Sequence, residues 1–197
     1  AAALSASRKR AAASLEKKVA PTLRELGFSS AQVPIEVEPR ERGATGADRV
    51  RLLFAPNPGD PPRPLAKIAS GGELSRVMLA LKCALQTRDR VDLLVFDEVD
   101  SGVGGAVAQA VGERLRGLSE HRQVVCVTHL PMIAALASHH LRVLKRTRAG
   151  RTVASIETLE GGDRVEELAR MLAGDRVTDT TRRQARELLQ PSRVAAG

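Results

Sequence analysis

With 197 residues, 43% of them hydrophobic and 27% charged, the chain can bury one substantial core, which places it among globular proteins of one or two domains. Aromatic residues make up only 2% of it, which argues against modules that stack bases on aromatic rings, while a net charge of +8 suits an acidic partner. It contains no run of about 18 apolar residues and no charged-then-apolar leader, so the expectation is a chain that neither spans a membrane nor is secreted, and a cytoplasmic location.

Residues 4–20, rich in Ala, Lys and Arg, predict a helix whose thin apolar stripe is Leu4, Ala11, Leu15 and Val19. So narrow a stripe cannot hold a helix by itself, and a packing partner is required. Val33–Glu38 and Arg49–Phe54 alternate as strands do and are joined through Gly43-Ala44-Thr45-Gly46. Asn57–Pro64, which with Pro56 holds five prolines, reads as a loop. A helix opened by Ser70-Gly71-Gly72 follows, carrying Leu74, Val77, Met78, Leu81 and Leu85 at helical spacing. Val91–Phe96 is too short for a helix and reads as a buried parallel strand ending at Asp97-Glu98. The glycine-rich turn Val99–Gly105 leads to a helix bearing Val103, Val107, Val111, Leu115 and Leu118, then to a second buried strand, Gln123–Thr128, that ends at His129. Leu141–Lys145 and Thr152–Leu159 form a predicted hairpin around Ala149-Gly150, and 163–173 and 179–190 are predicted helices, the last one basic. No internal repeat is present.

The chemistry concentrates at two places. Two adjacent carboxylates at a strand end, Asp97 and Glu98, point to opposite sides if the strand's alternation persists, so one can hold a hard cation such as Mg2+ while the other faces a water as general base. An ordinary strand end carries the same residues. Ser70-Gly71-Gly72 places free backbone N–H groups and a positive dipole end where an anion could approach, and it also suffices as a plain serine N-cap. Cys83 and Cys126 lack a Cys-x-x-Cys pairing and read as small buried residues, and His139-His140 has no Cys or carboxylate placed to complete a zinc site.

The order of these pieces is a helix opened by Ser-Gly-Gly, a strand ending Asp-Glu, a helix, and a strand ending Thr-His. It resembles the C-terminal lobe of an ABC-type ATPase head. The wording of Lys67–Arg76, Met78–Lys82, Phe96–Gly105, Val127–Pro131 and Ala169–Gly174 resembles the bacterial RecN family of SMC-like DNA repair ATPases. That resemblance covers residues 60–175 closely and the flanks loosely, and Met132 departs from it where the family has Gln. It implies an α/β fold: a P-loop-NTPase-like sheet with flanking helices. Residues 1–26 would be the stub of a coiled-coil arm and its passage into the head, and 27–197 the C-terminal lobe.

The resemblance also implies roles. Asp97 would contact Mg2+, and Glu98 would be the catalytic base beside the γ-phosphate-sensing His129. Ser70, Gly71, Gly72 and Glu73 would form the signature loop against an ATP held by a second head, and Asp100 would belong to the D-loop. No Gly-x-x-x-x-Gly-Lys-Ser/Thr loop occurs in the chain, so it is expected to be inactive alone and to need an N-terminal Walker A lobe. The function implied is ATP-dependent head dimerisation and hydrolysis coupled to tethering of DNA ends in recombinational repair of double-strand breaks, near the nucleoid. DNA would be bound without regard to sequence, through clusters such as Arg8-Lys9-Arg10, Lys17-Lys18, the run Arg142 to Arg151, and Arg182-Arg183-Arg186. A transporter ATPase subunit and a non-catalytic ABC-like interaction domain are the alternatives.

Overall fold

The computed structural model describes residues 1–68, 70–86, 88–148 and 151–190. Contacts divide the chain into two compact units, one ending at Val127 and one beginning at Thr128.

The first unit opens with α1 (Ala2–Glu25), which runs through Pro21 instead of stopping there. Its end is set by Gly27, whose φ of +93° suits a residue without a Cβ. The Phe28 N–H reaches the Leu23 carbonyl at 3.0 Å and the Gly27 N–H reaches Arg24 at 3.2 Å, which is the Schellman closure. The buried face is Ala12, Val19, Thr22 and Leu23, not the expected row through Leu4 and Ala11, both of which are exposed. The N-terminal half of α1 is held by polar bonds: Ser5 Oγ and Arg8 Nη1 donate to Asp48 at 2.6 and 2.9 Å. Further along, Glu16 accepts the Ile35 N–H at 2.6 Å.

Asp48 and Ile35 lie in the hairpin of β1 (Ile35–Gly43) and β2 (Gly46–Phe54), antiparallel with Val37 opposite Val50 and an irregularity between Pro39 and Gly43. The proline-rich segment, expected to be loop throughout, ends in a short strand, β3 (Arg63–Pro64), that pairs with Leu53 and Phe54. An edge strand is where a residue lacking an N–H is tolerated.

Next come α2 (Gly71–Ala84), β4 (Leu93–Phe96), α3 (Gly105–Ser119) and β5 (Gln123–Cys126). The two strands are parallel, Leu93 opposite Gln123 and Phe96 opposite Cys126, and α3 is the connection such a pair requires. α2 buries Arg76, Val77, Leu79, Ala80 and Leu81, whereas Met78, expected in the stripe, is exposed. α3 buries Ala108, Val111, Gly112, Leu115 and Leu118. Leu94 and Phe96 are buried, yet Leu93, Val95, Val125 and Val127 on the other face are 48%, 63%, 41% and 58% exposed. The expected strand, covered on both faces, is therefore covered on one. Within this unit the helices pack on a single side of the strand pair.

The second unit holds α4 (Pro131–Leu136), the hairpin of β6 (His140–Arg148) and β7 (Arg151–Leu159), α5 (Gly161–Ala173) and α6 (Asp179–Leu189). The hairpin pairs in continuous register from His140 with Leu159 to Arg148 with Arg151, and the expected turn at Ala149-Gly150 lies outside the described residues. Thr178 and Thr181 close a reciprocal capping box at the start of α6. Glu167, buried on α5, is held by Arg170 at 2.5 Å and Arg142 at 3.2 Å, and these bonds, Arg170 first, keep its carboxyl below the ordinary range.

At the centre of this unit's core the fully buried Leu168 packs with Ala134, Ala135, Ala169 and Ala185, and Val165, Met171, Val177, Leu188 and Leu189 close around them. Leu168 is wholly buried, and its alanine neighbours cannot move into a void while Met171, Leu188 and Leu189 can do so in part, so Leu168→Ala should cost about 2–5 kcal/mol. Urea unfolding of the second unit checks this, and a loss below about 1 kcal/mol would contradict the packing described.

Candidate active site

β4 brings the chain to the C-terminal end of a parallel strand pair, the end where open α/β sheets receive ligands. The strand stops at Phe96, so alternation no longer governs Asp97 and Glu98. Instead Asp97 Oδ1 accepts the Glu98 N–H at 2.9 Å, and Glu98 takes a left-handed φ of +57°, uncommon for a residue with a side chain. A turn follows, closed by the Ser101 N–H to the Glu98 carbonyl at 2.9 Å. Val99 and Asp100 are buried and pin its middle, while Asp97 and Glu98 are left exposed.

The N-terminus of α2 docks on this turn. Ser70 is the N-cap, with Oγ accepting the Glu73 N–H at 3.4 Å, and Glu73 stands in the first turn, where the helix dipole favours an acid. Gly71 lies beside the Glu98 carboxylate so closely that a Cβ there would collide with Oε2. A Cβ on the buried Gly72 would stand 2.7 Å from Ser101 Cβ and 3.0 Å from the Glu98 carbonyl oxygen. Ser75 Oγ donates to the Asp97 carbonyl at 2.7 Å, and Arg76 Nη1 donates to the Ser101 carbonyl at 2.8 Å. The guanidinium also lies 5.3 Å from the centre of the Phe28 ring. The structure thus brings Ser70, Gly71, Gly72 and Glu73 together with the Asp97, Glu98 and Asp100 segment.

His129 belongs to the second unit, where Thr128 Oγ1 accepts the Leu130 N–H at 3.0 Å and so shapes the turn that exposes the imidazole. Among the described residues no three His, Cys, Asp or Glu side chains cluster as a metal site. Asp97 and Glu98 both offer exposed carboxylate oxygens, and a cation held there would draw the rest of its shell from phosphate and water. That is the coordination Mg2+ prefers, so the residues fit it.

The expected buried cysteines are both half-buried free thiols. Burial pushes Cys83 up to about 11 and Cys126 up to about 12, with Asp100 and Asp97 adding to the latter. Sequence reasoning missed Ser75, Arg76 and Phe28. For Arg76 a signal was available, since it sits next to Val77 on the face of α2 that buries. Phe28 carried none.

No protein-family model matches the chain. It is 48% identical over 190 residues to the DNA repair protein RecN of Xylella fastidiosa strain 9a5c, an alignment covering 95% of this chain and 34% of that protein. Identity to the DNA repair protein RecN of Treponema pallidum is 47% over 195 residues, again covering 95% of this chain and 34% of the relative. In structure it is similar to the SMC head domain with coiled coil and joint of Pyrococcus yayanosii. The TM-score is 0.59 at 21% identity, over 81% of this chain and 29% of that one. A second SMC ATPase structure, from work on ATP-driven dimerisation and DNA-stimulated activation, gives 0.53 at 17% identity over 87% of this chain and 99% of that one.

The fold is therefore that of an SMC-type ATPase head. Within that class the chain matches the RecN DNA repair proteins over 95% of its own length, and it spans about a third, 34%, of the length of these two relatives.

The two glycines should respond differently to substitution. Gly72→Ala sets a Cβ against backbone oxygens that cannot step aside and should destabilise by about 1–3 kcal/mol. Gly71→Ala meets only the end of the Glu98 side chain, so stability should hold within about 0.5 kcal/mol while amide shifts of residues 97–101 move. Chemical denaturation and NMR together check the pair. A separate expectation concerns Cys126: with its thiol near 12, about one molecule in 10,000 carries the thiolate at pH 8, and the fraction rises tenfold per pH unit. Iodoacetamide should leave Cys126 of the native chain unmodified at pH 8 over minutes, and mass spectrometry reads the result.

Proposed function

We propose that this segment is the C-terminal lobe of the ATPase head of a RecN-type DNA repair protein, with residues 1–26 the end of its coiled-coil arm and 27–197 the lobe itself. The observation that carries the reading is the docking of the Ser70-Gly71-Gly72 helix start onto the Asp97–Ser101 turn, which sets anion-binding N–H groups beside a metal-type carboxylate and a candidate base. In this reading Glu98 accepts a proton from the attacking water, Asp97 holds Mg2+, Asp100 supports the turn, and His129 contacts the γ-phosphate. Bound Mg2+ supplies charge neutralisation across the phosphate oxygens. Ser70, Gly71, Gly72 and Glu73 cap the phosphates of an ATP carried by a second head. Hydrogen bonds to a charged group contribute about 1.5–3 kcal/mol each, enough for ATP to hold two heads together until hydrolysis.

An N-terminal Walker A lobe must complete the site. The relatives' greater length leaves room for one, and the open apolar face of Leu93, Val95, Val125 and Val127 supports it, because a hydrophobic strand face of this kind is normally covered. ATP-driven dimerisation is the subject of the SMC ATPase structure to which this fold is similar, which supports a homodimer of heads. DNA end tethering in recombinational repair, with contacts to the backbone irrespective of sequence, fits the net charge of +8 and the relatives' role as DNA repair proteins. Part of the basic clusters is already engaged inside the chain: Arg8 with Asp48, Arg142 with Glu157 and Glu167, Arg182 with Glu166 and Asp179. That leaves exposed Lys9, Arg10, Lys17, Lys18, Lys145, Arg151, Arg183 and Arg186 as the better DNA-facing candidates. Among the described residues no helix is long and apolar enough to cross a membrane, in keeping with a cytoplasmic protein near the nucleoid.

In the full-length protein, Glu98→Gln should lower ATP turnover by about 100- to 10,000-fold, the range for loss of a general base, while ATP-dependent dimers persist in sedimentation. The isolated segment should show no turnover until mixed with its N-terminal lobe. Steady hydrolysis by the segment alone would refute the assignment.

A further inference from the structure

We propose that Arg76 is a positioning residue for Glu98: together with Ser75 it grips both ends of the Asp97–Ser101 turn and ties that turn to the end of α1. The inference rests on the reading of Glu98 as the base. Two consecutive residues of α2 make the grip, Ser75 on the Asp97 carbonyl at 2.7 Å and Arg76 on the Ser101 carbonyl at 2.8 Å, with Glu98 between the two points of attachment. The turn needs holding because Glu98 sits in the left-handed region, where a side chain is disfavoured and a relaxed backbone would swing the carboxylate elsewhere.

Packing alone does not account for an arginine here. Its guanidinium is buried, with the residue 8% exposed. Its Nε has no hydrogen-bond partner, and the carboxylate that acts on it, Glu73 one turn earlier on α2, does so through space and offsets the burial only in part, so that burial pushes the guanidinium below its ordinary range. Its neighbours on the same face of α2 are Val77, Leu79 and Ala80. A buried charge without a direct ion pair is a net burden on stability, and an apolar side chain of similar volume would relieve it. What only arginine offers at this place is a directed donor to Ser101 together with a flat cation for the Phe28 ring.

Phe28 gives the grip its reach. It is the residue that closes the Schellman end of α1, and it meets Phe54 of β2 edge-on, with ring centres 5.4 Å apart and planes at 79°. A displacement of the end of α1 therefore moves Phe28, then Arg76, then the carbonyl that ends the Glu98 turn. Misplacement of a catalytic group by about 1 Å can lower turnover 100-fold without touching substrate affinity.

The test uses the full-length protein and reads kcat, the Kd for ATP and the melting temperature of Arg76→Met, Arg76→Lys and Phe28→Leu, each alone and combined with Glu98→Gln. Arg76→Met should lower kcat about 10- to 100-fold with ATP affinity unchanged and melting temperature unchanged or raised. Arg76→Lys, which keeps a donor, should recover part of the loss, and Phe28→Leu should lose less than Arg76→Met. Added to Glu98→Gln, none should slow turnover further, because each acts through that carboxylate. Wild-type kcat in Arg76→Met, or a loss that adds in full to that of Glu98→Gln, overturns the inference. If Arg76→Met does not fold, Arg76→Lys decides, and wild-type kcat in it overturns the inference equally. Should Glu98→Gln itself turn over ATP normally, the assignment of the base fails and this inference falls with it. A dead Glu98→Gln beside a fully active Arg76→Met removes this inference alone.

Discussion

Gly72 has no side chain, and the geometry of the first unit around the candidate site follows from that absence. Because nothing projects from its Cα, the first turn of α2 can lie directly on the Glu98 and Ser101 backbone, and the bonds from Ser75 and Arg76 then reach carbonyls that a larger residue would hold out of range. Two segments more than twenty positions apart in the chain become one rigid corner. Its rigidity matters more than its hydrogen-bond count, since Glu98 is held in a conformation it would not choose alone.

The same corner explains why the unit is polar where a core would be apolar. A guanidinium without a direct ion pair is buried against Phe28, and two carboxylates, Asp97 and Asp100, act on the Cys126 thiol from the adjoining strand end. Natural folds accept such costs where function needs direction more than stability. By contrast, the second unit satisfies its buried Glu167 with two arginines and packs its core from Leu168, four alanines and the aliphatic side chains that close around them.

Much of this was legible in the residues. The two hairpins, the parallel strand pair with its connecting helix, and the paired terminal helices follow from periodicity and turn chemistry, and the ordered motifs pointed to the RecN family before any coordinates. What escaped was of three kinds. α4 spans only Pro131–Leu136 and β3 two residues, too short for a period to develop. α1 continues past Pro21 because its last turn is closed by Gly27 and packed through Leu23, a tertiary effect that propensity does not contain. The buried rows on α1 and α2 are rotated from the expected ones, since the real partner of α1's first turns is the carboxylate of Asp48, and α2 turns a charged residue inward. In the candidate site, residue types announced the donors and acceptors, but not which backbone carbonyls would receive them.

The bare face of the β4 and β5 pair has a consequence for how the chain behaves in solution. Two short parallel strands, each with an unpaired outer edge and with Leu93, Val95, Val125 and Val127 turned to water, offer both the hydrogen-bonding rim and the greasy surface on which chains stick to one another. In solution at high concentration a polypeptide with this face left bare would tend toward colloidal association, so its behaviour should depend steeply on concentration.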